Sequence, residues 1–162
     1  MRILFVCTGN TCRSALSAEI ARRIASEFRM GDIEIGSAGT SAWEGSPASD
    51  GALLVGMESE IDLTHHRSRQ LTREIVGEYD LILVMGPHHL ERTTALGGEG
   101  KAFLVTDYAS RGASQEAISD PMGSDLEVYR STCRELEREI RGVFERFRAD
   151  HGKGEEWGGS EE

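Results

Sequence analysis

Residues 2–19 read RILFVCTGNTCRSALSAE, and the fold turns on how this stretch is read. Ile3 to Val6 is a short apolar run rich in β-branched and aromatic side chains, the pattern of a buried strand, and it ends in Cys7. A polar loop containing Gly9 and Asn10 follows, and Arg13 stands at the mouth of the next element. From Ser14 onward Leu16, Ile20 and Ile24 recur four apart, with Ala21, Ala25 and Phe28 beside them. That spacing predicts a helix with one buried stripe, running to about Phe28. A strand delivered into a helix by so short a loop is the opening half of a βαβ unit.

Working outward, DIEIGSAGT (32–40) alternates Ile33 and Ile35 with polar neighbours and reads as a second strand leaving into a glycine-containing loop. Ser46 and Pro47 look like a cap followed by a first-turn proline, opening a helix over PASDGALLVGM. Leu81 to Met85 is the clearest continuous apolar run, and KAFLV (101–105) is a weaker strand. Ser124 and Glu127 form the pattern of a capping box. After it Leu126, Tyr129, Cys133, Leu136, Ile140, Val143, Phe144 and Phe147 follow a helical period.

Strands alternating with helices imply an α/β fold, a small doubly wound parallel sheet with helices on both faces. Ligands of such sheets sit at the carboxyl ends of the strands, where Cys7 lies. The chain of 162 residues suits one domain, placed at 1–149. The Gly- and Glu-rich segment 150–162 has little to bury and is expected to be a disordered tail.

A formal net charge of −10 argues against a general nucleic-acid or anionic-membrane binder, which needs clustered Lys and Arg. A protein this acidic must create positive potential locally if it handles an anion. No segment approaches the roughly 18 apolar residues of a membrane span. The N-terminus enters a strand directly, without the layout of a signal peptide. Cys7, Cys12 and Cys133 are odd in number and make no disulfide framework, so the expected compartment is the cytoplasm.

Where a strand meets a helix N-terminus, several backbone N–H groups lack intrahelical partners and, with the helix dipole, form an anion site. Gly9 and Asn10 are residue types that tolerate a left-handed backbone in such a cradle. The planar fork of Arg13 suits two phosphate oxygens at once. A cysteine at the floor of that cradle shares the same field. Thiols at helix N-termini near cations fall from about 8.5 to roughly 3.5–7.5. With Ser14 placed to donate to the sulfur, Cys7 becomes a candidate nucleophile for in-line displacement on phosphorus.

Competing readings are weaker. A plain core cysteine leaves Arg13 unexplained. A zinc site needs about four ligands, and Cys7 with Cys12 supplies one pair only. A Walker-type loop would end in Gly-Lys-Ser/Thr, which is absent.

The segments CTGNTCRS, SAGT, HRSRQLT and DPMG together resemble the low-molecular-weight phosphotyrosine protein phosphatases, whose bacterial branch includes protein-arginine phosphatases and thioredoxin-coupled arsenate reductases. The resemblance runs in order from Met1 to about Arg148. It implies a four-stranded parallel sheet, phosphorylated protein substrates, a cysteinyl-phosphate intermediate, and neither cofactor nor metal. It implies that Thr8, Gly9, Asn10, Thr11, Cys12, Arg13 and Ser14 hold the phosphate. Asn10, Ser14, Ser37 and His66 match the polar network that supports that loop.

The general acid implied is Asp120, which Pro121 restricts to an extended backbone in a loop before the last helix. Once ionised, the same carboxylate would activate water. Asp107 and Asp125 are rivals by sequence alone, Asp125 being better placed in the first turn of the last helix.

Substrate identity rests on fewer positions. Thr11 matches the arginine-specific members, where tyrosine-specific ones usually carry a bulky aliphatic residue. Met122 departs from the aromatic residue often found after Asp-Pro, and Trp43 is a candidate pocket wall. Phosphoarginine is therefore the favoured substrate and phosphotyrosine the alternative. Arsenate reduction would need two further mid-chain cysteines, and none lies between Cys12 and Cys133. A non-catalytic phosphate-binding module would need neither Cys7 nor Asp120. Cys12, beside the nucleophile, is a candidate partner for a reversible disulfide with oxidised Cys7. Targets and oligomeric state are not legible in the sequence.

Overall fold

The computed structural model describes residues 1–151. Its elements are β1 (Arg2–Cys7), α1 (Arg13–Glu27), β2 (Glu34–Gly39), α2 (Asp50–Glu58), α3 (Arg73–Glu78), β3 (Leu81–Val84), α4 (Pro87–Thr93), β4 (Ala102–Leu104), α5 (Val105–Ser110) and α6 (Leu126–Asp150). The four strands form one parallel sheet in the order β2-β1-β3-β4. This is the doubly wound α/β arrangement expected from the sequence.

The apolar run of β1 is continuous because both faces of the sheet are covered, as parallel sheets require. Ile3, Phe5 and Cys7 face the cluster built with α1 and α6, while Leu4 and Val6 face Leu71, Val76 and Tyr79. The alternation decides where the thiol goes. Cys7 ends on the α1 side of the sheet, against the first turn of that helix. The long stripe of α6 closes the same layer, and Leu136, Ile140, Val143 and Phe144 are fully buried.

Two expected helix starts are corrected. Ser46 and Pro47 do not open α2; Ser49 is its N-cap, accepting from the Ala52 N–H, and Pro47 lies in the approach. Ser124 is not the cap of α6. Asp125 takes that place and accepts from the Val128 N–H at 3.2 Å, so the box with Glu127 is out of register by one residue. Both an Asp and a Ser cap well, and here the one nearer the apolar stripe wins. The short helices α3, α4 and α5 escaped the sequence reading because one or two turns give too few apolar repeats to show a period.

The expected domain limit at residue 149 falls inside the last turn of α6, and of the tail placed at 150–162 all but Asp150 and His151 lies outside the described residues. Among the described residues no helix is long and apolar enough to cross a membrane.

Candidate active site

β1 ends at Cys7 and α1 begins at Arg13, so the loop between them lies at the carboxyl edge of a central strand. Asn10 has φ of 58°, in the left-handed region. Gly9, expected to share that role, does not adopt positive φ; the turn is made by Asn10 alone. Its side chain is completely buried and fully bonded. Asn10 Nδ2 donates to Ser14 Oγ at 2.8 Å and to Ser37 Oγ at 3.0 Å, and Oδ1 accepts from the Arg69 N–H at 2.9 Å. The Asn10 carbonyl lies 2.6 Å from His66 Nε2. Ser37 and His66 are thus brought onto one loop residue from β2 and from the segment before α3.

Ser14 faces the sulfur twice. Its Oγ lies 3.0 Å from Cys7 Sγ, and its N–H, in the first turn of α1, donates to the same atom at 3.4 Å. Ser14 Oγ accepts from Asn10, and its one proton is shared between two acceptors, the Cys7 sulfur at 3.0 Å and the Ala38 carbonyl at 3.4 Å. Cys12 is the N-cap of α1 and supplies no side-chain cap to the first-turn amides, of which that of Ser14 turns to the Cys7 sulfur. Burial first, then the neighbouring Cys7 and Asp120, push the Cys12 thiol up to about 12.

Arg13 is buried, an expensive place for a guanidinium unless it is well bonded. Its Nη1 donates to the Ile118 carbonyl at 2.9 Å, and Nη2 lies 3.6 Å from Asp120 Oδ2. The Ile118 N–H is in turn tied to the Met85 carbonyl at the end of β3. The loop carrying Asp120 is therefore docked over Arg13. Asp120 Oδ1 accepts from the Met122 N–H at 3.0 Å, and the carboxylate remains half exposed. Its rivals lie elsewhere: Asp125 caps α6, and Asp107 sits in the first turn of α5 beside Gln115.

The other candidate residues belong to separate segments. Thr8 bonds His89, and the Thr11 carbonyl receives the Ser49 N–H. The Trp43 side chain is exposed, but its carbonyl is clamped by Ser68 Oγ, which also accepts from the Ser46 N–H. Met122 is exposed, with Sδ 3.8 Å from the Tyr129 hydroxyl. Among the described residues no hydrogen bond joins Thr11, Trp43 and Met122 to one another.

Three participants were not read from the sequence. Gly39 packs against the loop so closely that a Cβ would stand 2.4 Å from the Thr8 carbonyl and 2.9 Å from the Asn10 nitrogen. Arg69 braces Ser37 through its carbonyl at 3.0 Å and reaches the Tyr79 hydroxyl at 2.9 Å. His89 is fully buried, its Nε2 2.8 Å from Thr8 Oγ1. Its position just past β3, at the same sheet edge as Cys7, was the signal available in the sequence.

The sequence matches the family described as "Low molecular weight phosphotyrosine protein phosphatase" over residues 2–153. It is 36% identical over 151 residues to a protein-arginine-phosphatase of Geobacillus stearothermophilus, covering 92% of this chain and 97% of that one. It is 33% identical over 138 residues to the low molecular weight protein-tyrosine-phosphatase Etp of Escherichia coli (strain K12), covering 84% and 87%. Among solved structures, a YwlE arginine phosphatase mutant with a phosphorylated active-site serine superimposes with a TM-score of 0.85 at 31% identity, covering 91% of this chain and 95% of that one. A low molecular weight protein tyrosine phosphatase from T. tengcongensis gives 0.83 at 36% identity, covering 90% and 99%.

His89 carries a pH signature. Burial, then His88 and Arg13, pull it from 6.5 down to about 4. The unfolded chain therefore takes up a proton on this residue near pH 6.5, whereas the folded protein does so only near 4. Stability that is present above 6.5 is lost as the pH falls through that window, by on the order of 3 kcal/mol. Urea midpoints measured across it are expected to fall less in His89→Gln than in the wild type.

Proposed function

Because the chain belongs to the low molecular weight phosphotyrosine protein phosphatase family and is a protein phosphatase, we propose that it works through a phosphate carried on Cys7, with phosphoarginine as its favoured substrate. The observation that carries the mechanism is the placing of two Ser14 groups on Cys7 Sγ, the N–H donating to it and the hydroxyl 3.0 Å away, with Arg13 and Asp120 docked above the same loop. The relative whose active-site serine is phosphorylated supports a covalent intermediate at the corresponding step.

In this reading the amides and side chains from Thr8 to Ser14 receive the phosphate, and Arg13 clamps two of its oxygens. The Cys7 thiolate attacks phosphorus in line as the bond to the leaving nitrogen or oxygen breaks, and Asp120 donates the proton the leaving group takes. The Asp120 carboxylate then removes a proton from water. That water attacks phosphorus, the S–P bond breaks, and inorganic phosphate leaves with Cys7 restored. Asn10, Ser37 and His66 hold the loop in place for both steps.

Substrate choice rests on Thr11, whose hydroxyl and small bulk suit a guanidinium leaving group. The full-length likeness to a protein-arginine-phosphatase agrees with it. Phosphotyrosine is the second reading, favoured by the exposed Trp43 and by the likeness to tyrosine phosphatases. The free cysteines and the lack of a membrane-crossing helix among the described residues are consistent with work in the cytoplasm. Paired phosphoarginine and phosphotyrosine peptides test the substrate. The wild type is expected to show higher kcat/KM on phosphoarginine, and Thr11→Ile to collapse that preference. A phosphotyrosine preference untouched by the substitution would assign the protein to the tyrosine phosphatases and leave Thr11 as packing.

Cys12 is proposed as the partner of Cys7 under oxidation. Peroxide oxidises the Cys7 thiolate to a sulfenic acid, and the Cys12 thiol displaces water from it to form the disulfide. Burial is the largest cause of the raised Cys12 value and keeps that residue a thiol near neutrality, which slows its attack on the sulfenic acid. Peptide mapping after mild peroxide is expected to recover a Cys7–Cys12 disulfide; a sulfinic acid on Cys7 with Cys12 unmodified would contradict it.

A further inference from the structure

A second polar concavity, about 380 Å³, lies along β2, the edge strand beside α1, and is lined in part by Arg22, Gly36, Ser37, His65, Arg67 and Arg69. Its chemistry follows from the strand register. The Glu34 N–H bonds the Met1 carbonyl, so Glu34, Gly36 and Ala38 turn their backbone groups toward β1, and Ile35 and Ser37 turn theirs outward. An open edge of this kind offers both donors and acceptors. Here the acceptors are taken: the Ile35 carbonyl receives Arg22 Nη2 at 2.5 Å, and the Ser37 carbonyl receives Arg69 Nε at 3.0 Å. What remains along the edge is the N–H groups of Ile35 and Ser37. A further β-strand, which needs both, is therefore disfavoured.

The charges point the same way. Of the two carboxylates in the groove, Glu19 is paired with Arg22, whereas Asp62 keeps its negative charge, held below the usual carboxylate range by the hydroxyl and N–H of Thr64, and is the one acidic group the groove's cations must outweigh. Arg67 and Arg69 have no carboxylate partner among the described residues; Arg67 donates to the His66 carbonyl and Arg69 to Ser37 and Tyr79. Two guanidiniums, an imidazole at His65 and two edge amides thus meet in one groove on a protein of net charge −10.

We propose that this groove is a second oxyanion site, taking phosphate or an isosteric tetrahedral anion, coupled to the catalytic loop through Ser37 and Arg69. The coupling is direct. Ser37 Oγ accepts from Asn10 Nδ2, and the Arg69 N–H donates to Asn10 Oδ1. An anion that engages the Arg69 guanidinium bears on the two groups that hold Asn10. The site requires no particular substrate at Cys7 and stands apart from the phosphoarginine assignment.

The test uses the full chain with orthovanadate saturating the catalytic loop, so that added inorganic sulfate is free to report only on other sites. Sulfate is titrated at constant ionic strength while the amide resonances of Ile35 and Ser37 are followed by NMR. Saturable shifts are expected. Arg67→Gln, which deletes one charge-assisted donor, is expected to weaken the binding by about tenfold while leaving turnover of a small aryl phosphate unchanged. Shifts that grow linearly without saturation, or an identical titration in Arg67→Gln, would overturn the site. A doubly phosphorylated peptide separates the sources. If the ligand is the substrate's own second phosphate, its kcat/KM exceeds that of the singly phosphorylated peptide, and Arg67→Gln removes the gain. If the ligand is free phosphate, the peptides are equal and the sulfate titration still saturates.

Discussion

The left-handed turn at Asn10 is the constraint on which the rest of the site depends. A non-glycine residue in that conformation costs on the order of 1–2 kcal/mol, and it persists only where its surroundings fix it. Asn10 is fixed on every side: by Ser14 from α1, by Ser37 from β2, and by His66 and Arg69 from the segment that follows α2. Four bonds to a fully buried residue, each worth about 1 kcal/mol net, offset the strain and leave the loop with one shape. Gly39 completes the fit, because no side chain at that place clears the Thr8 carbonyl. The loop geometry is thus a property of the sheet edge as a whole.

On this scaffold the electrostatics become local. The protein is acidic, yet the loop between β1 and α1 gathers helix N-terminal amides, a buried guanidinium and a hydroxyl 3.0 Å from the sulfur. Arg13 is oriented before any ligand arrives, since the Ile118 carbonyl and Asp120 hold it and Met85 anchors Ile118. Preorganised donors of this kind act on developing charge without reorganising. His89 is the neutral counterpart. Its low value leaves an uncharged ring against Thr8 near neutrality, so it shapes the loop without adding a competing cation.

The strand, loop and helix of residues 2–19 were legible because an apolar run, a polar turn and a helical period follow one another without ambiguity. The sheet and α6 were legible for the same reason. Caps were read within a few residues, since Ser46, Ser49, Ser124 and Asp125 are all competent acceptors and only packing chooses among them. Asn10, Ser37 and His66 were singled out through the family resemblance, but their bonding partner Arg69 and the close approach of Gly39 come from contacts distant in sequence. His89 and the groove beside β2 share this character. They arise where elements meet, and a local pattern carries no trace of such a meeting. The assignment of Gly9 to the left-handed turn failed because propensity names the residues able to make a turn and tertiary bonding selects the one that does.

The account stands most directly on the chemistry of Cys7. Rapid acid quench during turnover of a phosphopeptide, followed by peptide mapping, locates any phosphate bound to the protein. The proposed mechanism predicts phosphate on Cys7, formed before steady state and accumulating further in Asp120→Asn with an activated leaving group, where attack by water lacks its base. Full turnover by Cys7→Ser, or phosphate found on another residue while Cys7 stays free, would contradict it.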